Sequence, residues 1–162
     1  MTRYHAHGEP VWRDRADSLI QVQLSFKGTE YYEQLWARHV AADVFEVCCI
    51  PVFAYNLSLG DYVESSEYVV RQVVRRSGRY TFRVRFDLDN HAYAREEVMA
   101  EVQRRAHLFE WHSPALVALD ADSPESAQAL ADLLAEREQR GELAYESGLE
   151  RPPEELGNDS DF

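Results

Sequence analysis

The sequence predicts an α+β protein, with an N-terminal antiparallel β-rich part followed by a ferredoxin-like β-α-β-α-β half carrying two helices. Two observations predict it. Across residues 17–88 apolar and polar side chains mostly alternate with the period of two that a half-buried strand requires, punctuated by Gly, Pro and Ser. After residue 88 that pattern twice gives way to apolar residues at helical spacing, and each helical stretch is flanked by a strand-like run. With 162 residues the chain is long enough for one domain whose core needs neither disulfide nor metal. The reading is a polar segment at 1–16, a single α+β domain at 17–147 (mostly β over 17–88, β/α over 89–147) and an acidic tail at 148–162.

Taken in order, residues 1–16 are polar and are expected to be loosely held. Val22, Leu24 and Phe26 share one face of a strand that Gly28 ends. Residues 30–40 are ambiguous. Tyr32, Leu35, Trp36, His39 and Val40 have helical spacing, but Tyr31 to Ala37 also reads as a strand paired with a second one at Val44 to Ile50. Ser58-Leu59-Gly60-Asp61 is a turn signal before a strand at Tyr62. Tyr68 to Arg76, Ser77-Gly78 and Arg79 to Phe86 read as a hairpin. On its second strand Tyr80, Phe82, Val84 and Phe86 point one way, and Arg79, Thr81, Arg83 and Arg85 the other. His91 to Leu108 is helical, capped by Asp89 or Asn90, and Ala115 to Leu119 is a central strand. Ser123-Pro124-Glu125 starts a second helix that Gly141 ends, before a last strand at Leu143 to Tyr145.

Charge is unevenly divided. Residues 121–162 carry twelve acidic and three basic side chains, residues 1–120 seventeen and fourteen, and the total is −12. Such a charge repels nucleic acid at range and favours a basic partner. Cys48 and Cys49 are adjacent within an apolar run, so they read as small packing residues in a reducing compartment. The first residues contain no apolar leader and no run is long enough to span a membrane, so a cytoplasmic location is expected.

The common catalytic patterns do not occur: no Gly-rich phosphate loop, Gly-x-Ser-x-Gly, His-Glu-x-x-His or Cys-x-x-Cys. His5 and His7 have strand-like spacing but lie in a polar segment, so no metal and no cofactor is expected. Glu96, Glu97 and Glu101 read as a solvated helix face rather than paired catalytic acids.

Three segments carry a resemblance: Tyr32-Glu33-Gln34-Leu35-Trp36-Ala37, Ile50-Pro51-Val52-Phe53-Ala54 and Leu59-Gly60-Asp61-Tyr62-Val63, with the Ser77-Gly78 turn after them. In order and spacing the chain resembles a bacterial family known as domain of unknown function 4265, over roughly residues 18–147. The resemblance implies strands rather than a helix at 30–40. It also implies a small bacterial cytosolic protein of a kind that turns up as a toxin-neutralising partner.

The expected function is therefore that of a cytosolic immunity protein (antitoxin) and not an enzyme, occluding the cleft of a basic toxin. Glu142, Glu146, Glu150, Glu154, Glu155, Asp159 and Asp161 are its expected contact residues. The alternative is a nucleic-acid-binding regulator that uses Arg71, Arg75, Arg79, Arg83 and Arg85 on one face of the hairpin. A second alternative, a small enzyme of unknown reaction, requires a pocket with convergent polar groups and a perturbed carboxylate or histidine.

Overall fold

The computed structural model describes residues 3–148 and builds them into two sheets and two helices. The first sheet contains β1 (Arg3–His5), β2 (Ser18–Phe26), β3 (Thr29–Ala41), β4 (Val44–Val47), β5 (Tyr62–Ser66) and β6 (Val69–Arg75) in the order β1-β3-β2-β6-β5-β4. Because β4 also pairs with β3, strands β2 to β6 close into a five-stranded barrel. The closing contact is a short parallel one at Gln21 and Val69, where the Gln21 N–H donates to the Tyr68 carbonyl at 2.8 Å. Ile20, Leu35, Ala37, Phe45, Val47, Cys49 and Val63 fill its interior.

Residues 30–40 form a strand, as the family resemblance implies. The inward positions of β3, Glu33, Leu35 and Ala37, are fully buried. The outward Tyr32 and Trp36 are also half-covered, because the N-terminal segment lies over them: Tyr4 stacks on Tyr32 with ring centroids 5.6 Å apart, and the Trp36 indole donates to the His7 carbonyl at 3.0 Å. A strand apolar on both faces loses its period of two, which is why its pattern imitates a helix.

The second sheet contains β7 (Tyr80–Phe86), β8 (Leu108–Trp111), β9 (Leu116–Ala121) and β10 (Leu143–Ser147), ordered β10-β7-β9-β8 and antiparallel throughout. Helices α1 (Leu88–Arg104) and α2 (Pro124–Gln139) connect them as β-α-β-β-α-β, the full ferredoxin-like plan. Sequence reading misses β8, which is four residues long and set off by Ala106 at φ 61°. It also places the α1 cap too late: the Asp87 side chain accepts the Asn90 N–H. The α2 start is as expected, with Ser123 and Ser126 in a reciprocal capping box around Pro124.

Phe82, Val84, Phe86, Val98, Val102, Val117, Leu119, Leu130 and Leu134 form the core between this sheet and its helices. On the sheet's other face Leu116 and Ala118 meet Ile50, Val52 and Leu59 from the β4–β5 connector. Covered on both sides, β9 is buried at all six positions. Cys48 and Cys49 are free and fully buried, and burial pushes both thiols above their ordinary range, Cys48 to about 11. No helix among the described residues is long and apolar enough to cross a membrane.

The expected hairpin over 68–86 does not form. Ser77 and Gly78 carry the chain from the barrel to the second sheet instead of folding β7 back onto β6. The crossing is held by buried Asp61, which accepts the N–H groups of Ser58 (2.9 Å) and Ser77 (2.8 Å), while the Ser77 hydroxyl donates to the Leu59 carbonyl at 2.7 Å. Gly60 stands in this knot at φ 82°, and a Cβ there would lie 3.1 Å from the Ser77 Cβ and 3.3 Å from the Trp12 ring. Gly60→Ala is therefore expected to cost about 1–3 kcal/mol, read as a lower urea midpoint at unchanged slope.

Candidate functional sites

Two places in the fold gather functional groups. The first is the seam between barrel and sandwich, where a buried imidazole joins three stretches of chain. His7 Nε2 lies 2.8 Å from Glu33 Oε2 and His7 Nδ1 lies 2.8 Å from Glu110 Oε1. With a carboxylate on each nitrogen the ring carries both protons. Burial alone would lower the His7 pKa, but hydrogen bonds and charge from Glu110 and Glu33 overcome it and raise it to about 9. Burial opposes ionisation of Glu33, and His7 with the backbone N–H groups of Val52 and Ala54 brings its pKa below the ordinary value. Glu33 accepts from Val52 (2.7 Å), Phe53 (3.0 Å) and Ala54 (2.8 Å), and Glu110 from Ile50 (2.5 Å). The N-terminal segment is thus fastened to both units rather than loosely held.

Over these groups lies a cavity of about 200 Å³ whose wall includes His5, Phe53, Trp111 and His112. It meets in outline the requirement of the enzyme alternative, a pocket with perturbed histidines. Both of its buried carboxylates, however, are saturated by His7 and backbone N–H groups, which leaves neither free for proton transfer to a substrate. His7 is likewise consumed, so it cannot pair with His5 around a metal. Among the described residues no group of three or more His, Cys, Asp or Glu is arranged to hold a metal ion.

The second place is the barrel mouth, a groove of about 480 Å³ between the β3–β4 and β5–β6 turns and the start of β2. Phe45 and Tyr68 line it with ring centroids 6.1 Å apart, and Asp17, Asp43 and Glu67 provide its charge. Its rim is strained: Ala42, Glu67 and Tyr68 have φ of 42°, 52° and 65°, a region non-glycine residues rarely enter. Tyr68 is 61% exposed. Sequence reading does not single out this groove, because its residues come from two turns and a strand start that are separate in the chain.

The arginines expected on one ribbon are divided between sheets. Arg71 and Arg75 are exposed on β6, and Arg75 lies over the Tyr62 ring at 5.4 Å. Arg83 and Arg85 are on β7, with Arg79 just before it, and that strand's arginine face is covered by the β4–β5 connector rather than by solvent. Arg79 pairs with buried Asp120 at 2.5 Å. Arg83 is 3% exposed, donates to the Phe53 and Ala54 carbonyls, pairs with Glu146 at 3.2 Å and stacks on Tyr55 at 4.4 Å. A continuous guanidinium face for a phosphate backbone is therefore not built.

Two of the expected acidic contact residues are also internal. Glu142 is buried against Arg137 (2.9 Å) and the Tyr93 hydroxyl (3.2 Å), and Glu146 is buried against Arg83 and the Tyr55 hydroxyl (2.9 Å). Both correct the expectation that they face a partner. Glu150, Glu154, Glu155, Asp159 and Asp161 lie outside the described residues. Of the α1 acids, Glu97 pairs with Arg137, and Glu101 with Arg104 and Arg105, in keeping with a solvated helix face.

Barrel and sandwich together define an α+β protein of two units joined by buried carboxylates. The profile described as domain of unknown function (DUF4265) matches residues 33–145, and the chain belongs to that family. Its matched segments are joined physically: Glu33 caps the Val52–Ala54 backbone, and Asp61 caps Ser77. The fold is similar to the crystal structure of a hypothetical protein from Neisseria gonorrhoeae, with a TM-score of 0.70 at 18% identity, covering 82% of this chain and 94% of that one. No curated protein matches the sequence.

Proposed function

We propose that this is a bacterial cytoplasmic binding protein that neutralises a basic protein partner, in the manner of an immunity protein that blocks the cleft of a toxin enzyme. One observation carries the reading: the chain uses basic side chains internally while keeping an acidic excess. Arg79, Arg83 and Arg137 are engaged with the protein's own carboxylates, and the net charge is still −12. The barrel mouth suits the encounter, since acidic groups flank an exposed tyrosine held by a strained turn. Opposite charge speeds association and fixes register, while a desolvated aromatic anchor supplies much of the affinity. The terminal acids Glu150, Glu154, Glu155, Asp159 and Asp161 add to the attracting field.

The mouth is tested by a triple variant, Asp43→Asn, Glu67→Gln and Tyr68→Ala, measured against the basic chain that co-purifies from the native host. Binding is expected to weaken by at least tenfold, with a shallower salt dependence. Unchanged affinity in a folded variant would remove the mouth from the account.

A further inference from the structure

The barrel mouth has a floor as well as a rim. Phe45 and Ser65 line it at 6% and 4% exposure, while Asp17, Asp43, Glu67 and Tyr68 stand exposed around them. Among the described residues the Ser65 hydroxyl has no hydrogen-bond partner, although the Ser65 backbone N–H donates to the Asp43 carbonyl at 2.8 Å. A buried hydroxyl left unpaired in a groove lacks what a polar ligand supplies. The Asp43 and Glu67 carboxylates are also unpaired among the described residues. Asp17 accepts the His39 N–H (2.8 Å) and the Ser18 hydroxyl (2.9 Å), which hold its carboxyl below the ordinary range. No Lys or Arg is among the described residues that line the groove, and Arg38, which acts on Asp17 through its charge, is engaged by Glu46 at 3.2 Å. One wall is aromatic. The His39 ring donates to the Ala42 carbonyl at 2.7 Å and packs on Phe45 with centroids 5.1 Å apart, and Phe45 in turn packs on Tyr68. These contacts tie floor, turns and wall into one site.

We infer that the mouth receives a single arginine side chain of the basic partner, with Ser65, Asp43 and Glu67 accepting from its guanidinium and the Phe45–Tyr68 wall stacking on it. This rests on the proposed function, which supplies the partner, and names the group received. Arginine fits better than lysine on three counts. Its five N–H donors match acceptors spread over the floor and both turns, where an ammonium offers three from one point. Its planar ion pairs with carboxylates in bidentate fashion and stacks on aromatic faces. It is also more weakly hydrated, so entering a groove with a buried floor costs it less. A metal ion does not fit the place, since among the described residues no group of three or more His, Cys, Asp or Glu is arranged to hold one.

The test is NMR of the His39 and Tyr68 ring resonances in the full-length protein, titrated at constant ionic strength with N-acetyl-arginine amide and with its lysine and citrulline counterparts. Saturable shifts of both rings are expected with the arginine probe, several-fold weaker binding with lysine, and none with citrulline, the uncharged isostere. Asp43→Asn combined with Glu67→Gln should weaken arginine binding about tenfold or more, and Ser65→Ala several-fold. Glu96→Gln, exposed on α1, should leave it unchanged. No shift with arginine, lysine binding as tight as arginine, equal shifts with citrulline, or undiminished binding by the Asp43 and Glu67 variant would overturn the assignment. The titration uses the isolated protein, so it separates this site from the proposed function. A basic partner that binds while the arginine probe does not removes this site alone. An arginine probe that binds while no basic chain accompanies the protein removes the proposed function and keeps the site.

Discussion

His7→Ala is expected to lower the unfolding free energy by about 3–5 kcal/mol, because it leaves Glu33 and Glu110 as buried carboxylates without their shared cation. The same imidazolium gives stability a pH signature. Its folded pKa of about 9 lies above the ordinary 6.5, so its contribution is fully present below about pH 6.5 and is lost as pH rises through 9. A shift of that size corresponds to roughly 3 kcal/mol. Glu33 has the opposite sign: its lowered pKa adds stability above the ordinary carboxylate range, lost as pH falls through the folded value. Urea unfolding from pH 6 to 10 should show wild-type stability falling across the window and His7→Gln nearly flat. Parallel curves for the two proteins would show that His7 is not held as a cation.

Arg83→Met should cost about 3–5 kcal/mol as well. It takes the cation from beside buried Glu146, frees the Phe53 and Ala54 carbonyls, and removes the stack on Tyr55. Glu146→Gln keeps the shape and a hydrogen bond to Tyr55, so a smaller loss follows. If Glu146 served a partner instead, Glu146→Gln would weaken association while leaving stability unchanged. Denaturation curves and binding of the same two variants separate these roles.

The second half of the fold is legible because each element bears its own local signal. Ser123-Pro124 starts α2, the even apolar run of β9 marks a strand covered on both faces, and the alternation of β7 assigns its faces correctly. What alternation does not reveal is what covers a face. The arginine side of β7 reads as solvent-facing, yet the connector between β4 and β5 lies on it. The seam is less legible still, since its partners are 26 and 103 residues apart and nothing around His7 announces either carboxylate. One signal does exist in the sequence: Glu33 shares the inward register with Leu35 and Ala37. A charged residue in that register must be paired, because such residues are almost never buried alone.

The most direct test of the charge account is the mass and salt response of the complex that forms in the native host. Light scattering of the protein purified at low salt should give a 1:1 assembly with a basic chain, and raising the salt should dissociate it steeply as attraction between the two surfaces is screened. A protein that emerges without a companion at its native concentration, or whose companion stays bound regardless of salt, would contradict the account.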